Sequence, residues 1–227
     1  GSIMILQTAV HMAKLLQLRL GVSDDPHAFQ PSLNDCLGVM LQQAQYLMTE
    51  VINGLVMATA STGNRRVPAL QTSDIRAAVS TLSANTRAVC ATFHEELSRA
   101  VYKGGGKEQV HTEALRYEDL QLFGDDELDQ SIEIARAQQE VQLSVDDVLP
   151  ALDALVSTLL GWRTIQPGLN PLRPDVFVRA LQATLAVHVP QAAVREAIIA
   201  PAGGLLGANL RKLYRALADW LGSTGVE

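Results

Sequence analysis

The chain has 227 residues, of which 48% are hydrophobic, 19% charged and only 4% aromatic, and its formal net charge is −6. This length allows one large or two small domains with a substantial core, and the hydrophobic fraction excludes disorder along the whole chain. With so few aromatic residues the core must be aliphatic, a composition that favours helix over strand. The acidic balance argues against nucleic-acid binding, which needs a cationic surface.

Cellular location is indicated by the cysteines and by the length of the apolar runs. Two thiols, Cys36 and Cys90, make neither a disulfide framework nor a zinc site, so we expect a reducing compartment. The longest apolar run, residues 197–208, is broken by proline and glycine and falls short of the roughly 20 residues that span a bilayer. Gly1-Ser2 resembles a tag remnant with no signal sequence behind it. We expect a cytoplasmic fragment of a longer protein, without a membrane span.

The N-terminal region, residues 1–103, is predicted to contain an antiparallel helical hairpin. Residues 3–20 form a helix that is apolar around much of its circumference and therefore needs burial. Residues 33–60 carry an amphipathic stripe, and a second long helix is predicted from about residue 73 to residue 102. Two helices of similar length joined by a short connection are expected to pair antiparallel.

A glycine-rich break predicts a flexible linker at residues 104–120, followed by a C-terminal helical bundle at residues 121–227. Its first helix begins at Asp125 or Asp126, where carboxylates can cap free N–H groups, and Pro150 forces a kink or restart. Further helices are predicted at residues 152–160, 174–187, 191–199 and 205–221. The predicted fold is an all-α multi-helix bundle.

The motifs that could carry chemistry are incomplete. The glycine run before Lys107 lacks the following Ser or Thr, and the preceding strand, of a phosphate loop. His94 lacks the second histidine, four residues on, of a zinc helix. The acids at residues 125–129 lack the spacing of a calcium loop and are better explained as helix caps. We therefore expect no enzyme activity, no cofactor and no metal.

Charge is segregated along the second half of the chain. Residues 108–153 contain thirteen acidic and two basic residues, whereas residues 161–215 contain seven basic and two acidic ones. Neighbouring segments usually pack together, which favours acidic helices lying beside basic ones within one bundle. The alternative is an intermolecular surface for self-association or a protein partner. Arg211, Lys212 and Arg215 are the basic residues expected to share such a surface.

The same half of the chain resembles a proteobacterial family that is known only as a domain of unknown function, number sixteen thirty-one. The resemblance covers about residues 110–226 and implies a helical fold. It rests on residues 122–129 (LFGDDELD), Ala135-Arg136, residues 152–161 (LDALVSTLLG), Asn170-Pro171-Leu172 with Pro174, Leu213-Tyr214 with Leu217, and Gly225-Val226. The chain departs from the family pattern at Pro150 and at Ala218. Some members are labelled thymidine phosphorylase, but we identify no convergent cationic and amide groups to hold phosphate and a nucleoside.

The functional prediction is a non-catalytic interaction or regulatory module with a protein partner or self-association. Its expected contact surfaces are the first helix, at Ile5, Val10 and Leu16, and the basic helix, at Arg211, Lys212 and Arg215. One alternative is a sensor that binds an anionic cyclic dinucleotide on the basic helix. A second, disfavoured alternative is an enzyme of nucleoside metabolism. A small-molecule ligand and a nucleic-acid partner are not expected.

Overall fold

A computed structural model describes residues 32–103, 125–161 and 170–223. These residues form seven α-helices and one short 3-10 helix and contain no strand, which confirms the all-α multi-helix prediction. The α-helices are α1 (Leu33–Thr59), α2 (Ser73–Ala84), α3 (Thr86–Lys103), α4 (Asp125–Val145), α5 (Leu149–Leu159), α6 (Pro174–His188) and α7 (Ala192–Ser223), and the 3-10 helix is Pro68–Leu70. The predicted helix at residues 3–20 and the predicted linker at residues 104–120 lie outside the described residues.

Helix α1 is set by its cap and by a continuous apolar stripe. The Ser32 side chain accepts a hydrogen bond from the Asp35 backbone, and the Asp35 carboxylate accepts one from the Ser32 backbone, so the two residues form a reciprocal capping box. The stripe, which includes Met48 and Leu55, is buried where α1 packs on α2, α3 and α7. The predicted bounds of this helix are confirmed. The antiparallel hairpin orientation stays a prediction.

The prediction of one helix over residues 73–102 is wrong, because the chain breaks at Asn85. The Asn85 backbone N–H and side-chain amide both donate to the Thr81 carbonyl, at 3.0 and 3.1 Å, and its φ and ψ of −108° and 27° leave the helical range. An asparagine side chain competes for backbone partners in this way and favours helix ends. The break lets α2 pack on α1 and α7, while α3 packs on α1 and α6.

The stretch around Pro150 follows the predicted restart. Helix α4 ends at Val145, a turn occupies residues 146–148, and Pro150 lies in the first turn of α5, where its missing N–H costs nothing. Gly161 follows α5 with a φ of +70°, a conformation that glycine adopts without strain and that suits the residue after a helix end. The turn places α5 against α7.

The prediction of two helices at residues 191–199 and 205–221 is wrong, because α7 runs unbroken from Ala192 to Ser223. Pro201 lies inside this helix, and Gly203 follows within its next turn. Glycine lowers helix propensity, but tertiary packing can override that preference. Gly203 and Gly207 lie close against α4, and that packing offsets their weak helix propensity.

Helices α4 and α7 pack side by side along a seam of small residues. A Cβ added to Gly203 would lie 3.1 Å from the Ala137 side chain, and one added to Gly207 would lie 2.7 Å from Ser144 Oγ. From the first contact to the second, the residue number increases in both helices, so α4 and α7 run in the same direction. The acidic helix predicted from the charge pattern therefore lies along the basic one.

Helices from both sides of the predicted linker share one hydrophobic core. Its largest fully buried members include Met48 of α1, Phe93 of α3, and Phe177 and Tyr214 of α6 and α7. The rings of Phe177 and Tyr214 meet edge to face, with centroids 6.1 Å apart. The domain division, whose linker lies outside the described ranges, stays a prediction. None of the described helices has the length and apolarity needed to cross a bilayer.

Candidate functional site

An ion-pair cluster joins the end of α4 to the middle of α7. Asp147 lies in the turn after α4, and Arg211 and Arg215 lie one helical turn apart on α7. Arg211 donates from Nε to Asp147 Oδ1 at 3.1 Å and from Nη2 to Oδ2 at 2.6 Å, and Arg215 Nη2 lies 3.8 Å from the same Oδ2. A carboxylate held at both oxygens by one guanidinium is the geometry that arginine recognises best.

Both members of the main pair have shifted pKa values. The hydrogen bonds from Arg211 hold the pKa of Asp147 below its ordinary value, and the charges of Arg211 and Arg215 add to this effect. The same hydrogen bonds raise the pKa of Arg211. Because the folded-state pKa of Asp147 is lowered, the pair stabilises the fold above the unfolded-state pKa, and that stabilisation is lost as pH falls through the folded-state pKa.

We expect Arg211→Ala to raise the pKa of Asp147 towards its ordinary value, because the largest cause of the lowering is removed. Lys212→Ala is the matched control, since Lys212 is exposed beside Arg211 and is not among the causes of the shift. A carbon-detected NMR titration of side-chain carboxyls measures both variants. Equal shifts in the two variants would mean that general surface charge, not the bidentate contact, sets the pKa.

An exposed leucine lies at the same end of α4. Leu143 is 64% exposed, the largest exposure among the large hydrophobic side chains of the described residues, and it precedes Asp147 by four positions. We call Leu143, Asp147, Arg211, Lys212 and Arg215 the α4–α7 surface. Sequence analysis missed Leu143 and Asp147 as site residues. The change from an acidic to a basic segment indicated that a carboxylate would meet the arginines, but not which one.

A buried polar network lies between α5, the turn before α6, and α7. Asn170 donates from Nδ2 to Asp153 Oδ1 at 2.8 Å, and its Oδ1 accepts from the Leu172 backbone N–H at 2.9 Å. The Leu172 carbonyl accepts a hydrogen bond from the Tyr214 hydroxyl. Asp153, Asn170 and Tyr214 are 5%, 1% and 0% exposed. In this series of hydrogen bonds each donor lies on the side away from Asp153 and each acceptor on the side towards it. The network therefore connects three segments to one carboxyl group.

Burial governs the titration of this network. It raises the pKa of Asp153, and the hydrogen bond from Asn170 offsets part of that rise. Burial also raises the pKa of Tyr214, with contributions from the nearby charges of Asp153 and Asp175, so the hydroxyl stays a hydrogen-bond donor. The network joins α5, the turn before α6, and α7.

The family of the chain is decided by a match over most of its length. The family model described as "Protein of unknown function (DUF1631) N-terminal domain" matches residues 28–225. The chain belongs to this family. The suspected resemblance is thus confirmed, and the match extends beyond residues 110–226 to include α1, α2 and α3. Among curated proteins and among solved structures, nothing matches the chain.

Part of the sequence pattern that indicated the DUF1631 family coincides with the buried network. Asn170, Leu172 and Tyr214 belong to the quoted motifs, and Asp153 lies within the quoted residues 152–161. Pro174 opens α6 directly after the turn. These motif residues therefore have a structural task in this chain, which is to fix the turn before α6 against α5 and α7.

The two thiols of this DUF1631 chain are buried in its core. Burial raises the pKa of Cys36 to about 12, which keeps it protonated and unreactive at neutral pH. Cys90 is also buried, and its Sγ lies 3.4 Å from the Gln45 carbonyl. Within the described residues no group of three or more His, Cys, Asp or Glu side chains is placed to hold a metal ion.

A shallow cleft opens between α4, α6 and α7. It contains about 430 Å³ of space, part of it open to solvent. Its walls are Glu133, Ile134, Gln182, Leu185, Ala186, Arg195, Glu196 and Ile199. Arg195 is already engaged, since its Nη1 donates to the carbonyls of Val189 and Pro190 at 2.7 and 2.9 Å. The cleft therefore offers an apolar recess with mixed charge at its rim.

The six site residues predicted from the sequence fall into two groups. Ile5, Val10 and Leu16 lie outside the described residues, so their predicted contact role stays a prediction. Arg211 and Arg215 are brought together on one carboxylate, and Lys212 is exposed beside them. Their expected role in binding also stays a prediction.

Proposed function

We propose that this DUF1631 chain is a non-catalytic interaction module of the cytoplasm that binds a protein partner through the α4–α7 surface. One observation carries the proposal. Leu143, with 64% of its surface exposed, precedes by four residues in the sequence the carboxylate on which Arg211 and Arg215 converge. The proposal keeps the basic helix predicted from the sequence and adds an apolar anchor to it.

Interface energetics explain why this arrangement suits a partner. Binding energy concentrates in a few apolar or arginine side chains that become fully buried, while a polar rim provides specificity. Burying an exposed leucine contributes roughly 1.5–3 kcal/mol in general. Leu143 supplies the apolar group, and Arg211 and Arg215 supply directional donors around a carboxylate.

Affinity capture from the native host with the full-length protein tests the proposal. We expect Leu143→Lys to lose a partner that the parent protein retains, because a charge replaces the apolar anchor. Tyr102→Lys is the matched control. Tyr102 is 57% exposed and lies on α3, which packs on α1 and α6. Equal retention by both variants would contradict the proposal, and so would a partner lost from the control alone.

An anionic nucleotide sensor remains the second candidate function. It is favoured by the convergence of Arg211 and Arg215 on one anionic group, because arginines that bind a carboxylate at both oxygens can also bind phosphate. The protein partner is preferred because Leu143 adds an apolar contact that a phosphate group would not use. Isothermal calorimetry with a cyclic dinucleotide separates the two candidates.

A further inference from the structure

We infer that Asp147 is an internal stand-in for an acidic side chain of the protein partner, which replaces it on Arg211 and Arg215. The partner then presents a carboxylate next to an apolar residue, and the ion pair seen within the chain is the closed, unbound arrangement. This inference rests on the proposed function, because it names the chemistry of the partner that the α4–α7 surface binds.

The geometry of the ion pair defines what the partner must present. Asp147 accepts from Nε and Nη2 of Arg211, at 3.1 and 2.6 Å, and leaves Arg215 at the longer distance of 3.8 Å. A carboxylate arriving from outside could lie between the two guanidinium groups and use both. Arg211 would then keep its charge-assisted hydrogen bonds, while Arg215 would gain a closer one.

Charge complementarity selects an acidic partner. Arg211, Lys212 and Arg215 place three positive charges within five residues of α7, and Asp147 offsets one of them. The neighbouring Asp146 accepts a hydrogen bond from Gln142 at 2.9 Å and keeps its negative charge, so these five residues carry one net positive charge. The remaining positive charge favours an acidic segment and would repel a basic one.

Displacing Asp147 from the arginines costs little free energy, because the ion pair is exposed to solvent. The side chains of Asp147 and Arg215 are each 55% exposed, and that of Arg211 is 34% exposed. Ion pairs in contact with water contribute little to stability, since solvent screens the attraction. Asp147 also lies in the turn at residues 146–148, outside the hydrogen-bonded body of α4. Its removal from the arginines therefore leaves the α4–α7 seam intact.

The test measures binding of poly-L-glutamate to the 227-residue chain at low salt by isothermal calorimetry. We expect Asp147→Ala to bind this probe with a Kd roughly twofold to fivefold lower than the parent chain, because the internal competitor is gone. Asp146→Ala is the matched control, as it removes an adjacent acid that does not contact the arginines. Asp147→Asn keeps the side-chain volume, and circular dichroism checks that each variant is folded.

Four results bear on the inference, and the last of them separates it from the proposed function. Removal of Arg211 and Arg215 from the Asp147→Ala variant should abolish the gain. Equal gains for Asp147→Ala and Asp146→Ala overturn the inference, because general charge then explains the binding. Tighter binding of inorganic phosphate without tighter binding of poly-L-glutamate overturns it in favour of a small anion. If Leu143→Lys loses a host partner while Asp147→Ala leaves probe binding unchanged, the interaction function stands and only the stand-in role fails.

Discussion

Gly207→Ala is expected to lower the free energy of unfolding by about 2 kcal/mol. The added Cβ would lie 2.7 Å from Ser144 Oγ, 2.9 Å from Ser144 Cβ and 3.1 Å from the Cα of Val141. Real side chains do not tolerate the two shorter contacts, and the third involves backbone that cannot rotate away. Helices α4 and α7 must therefore separate, which disturbs the contact along their whole length. Urea unfolding followed by circular dichroism measures the loss.

Gly204→Ala is the control within the same helix. A Cβ at Gly204 meets nothing within 4 Å, so alanine should raise the free energy of unfolding by roughly 0.5–1 kcal/mol through its better helix propensity. The expected changes in the free energy of unfolding have opposite signs at Gly204 and Gly207, which separates the effect of close packing from that of helix propensity. Adding Ser144→Gly to the Gly207→Ala variant should recover part of the loss. If both alanine variants stabilise the protein, the α4–α7 seam is looser than these distances indicate.

Local signals in the sequence predicted most helix boundaries. The acidic residues 125 and 126 mark the start of α4, and Pro150 marks the restart at α5, each through a signal that involves only neighbouring residues. Such signals depend only on residues that are close in sequence, so they can be recognised without the structure. The all-α class followed from composition for the same reason.

Long-range contacts explain what the sequence could not predict. The glycines of α7 suggested a break, but Gly207 is helical because Ser144, 63 positions earlier, packs against it. Likewise the charge pattern indicated that acidic and basic helices meet, yet the choice of Asp147 depends on the register of α4 against α7. The break at Asn85 was missed because one asparagine inside a strong apolar stripe is a weaker signal than the stripe.

The candidate site was predictable only in its basic half. Arg211, Lys212 and Arg215 stood out because their spacing places them close together on one helix. Leu143 did not, because a leucine in an amphipathic helix is normally buried, and only the packed structure shows it to be 64% exposed. The exposure of Leu143 depends on how the helices pack, so the sequence pattern of its own helix does not predict it.

Asn170→Asp is expected to lower the free energy of unfolding by about 3 kcal/mol at neutral pH, because it leaves two buried carboxyl groups facing each other. The Asn170 Nδ2 atom that now donates to Asp153 at 2.8 Å would become an oxygen, while the bond from the Leu172 N–H could persist. The loss should shrink in acid, since a shared proton restores one donor between the two groups. Urea unfolding at several pH values measures both effects.

Exchanging the two side chains separates this hydrogen bond from simple loss of packing. In the double variant Asp153→Asn with Asn170→Asp, the new amide at position 153 can donate to the new carboxylate at position 170, which still accepts from the Leu172 N–H. The pair again holds one carboxyl and one amide of unchanged size, so most of the stability should return. A double-mutant cycle would then give a favourable interaction energy larger than about 1 kcal/mol. A double variant destabilised by the sum of the two single losses would contradict the network, because the two positions would then act independently and the turn before α6 would be held by apolar packing around Tyr214.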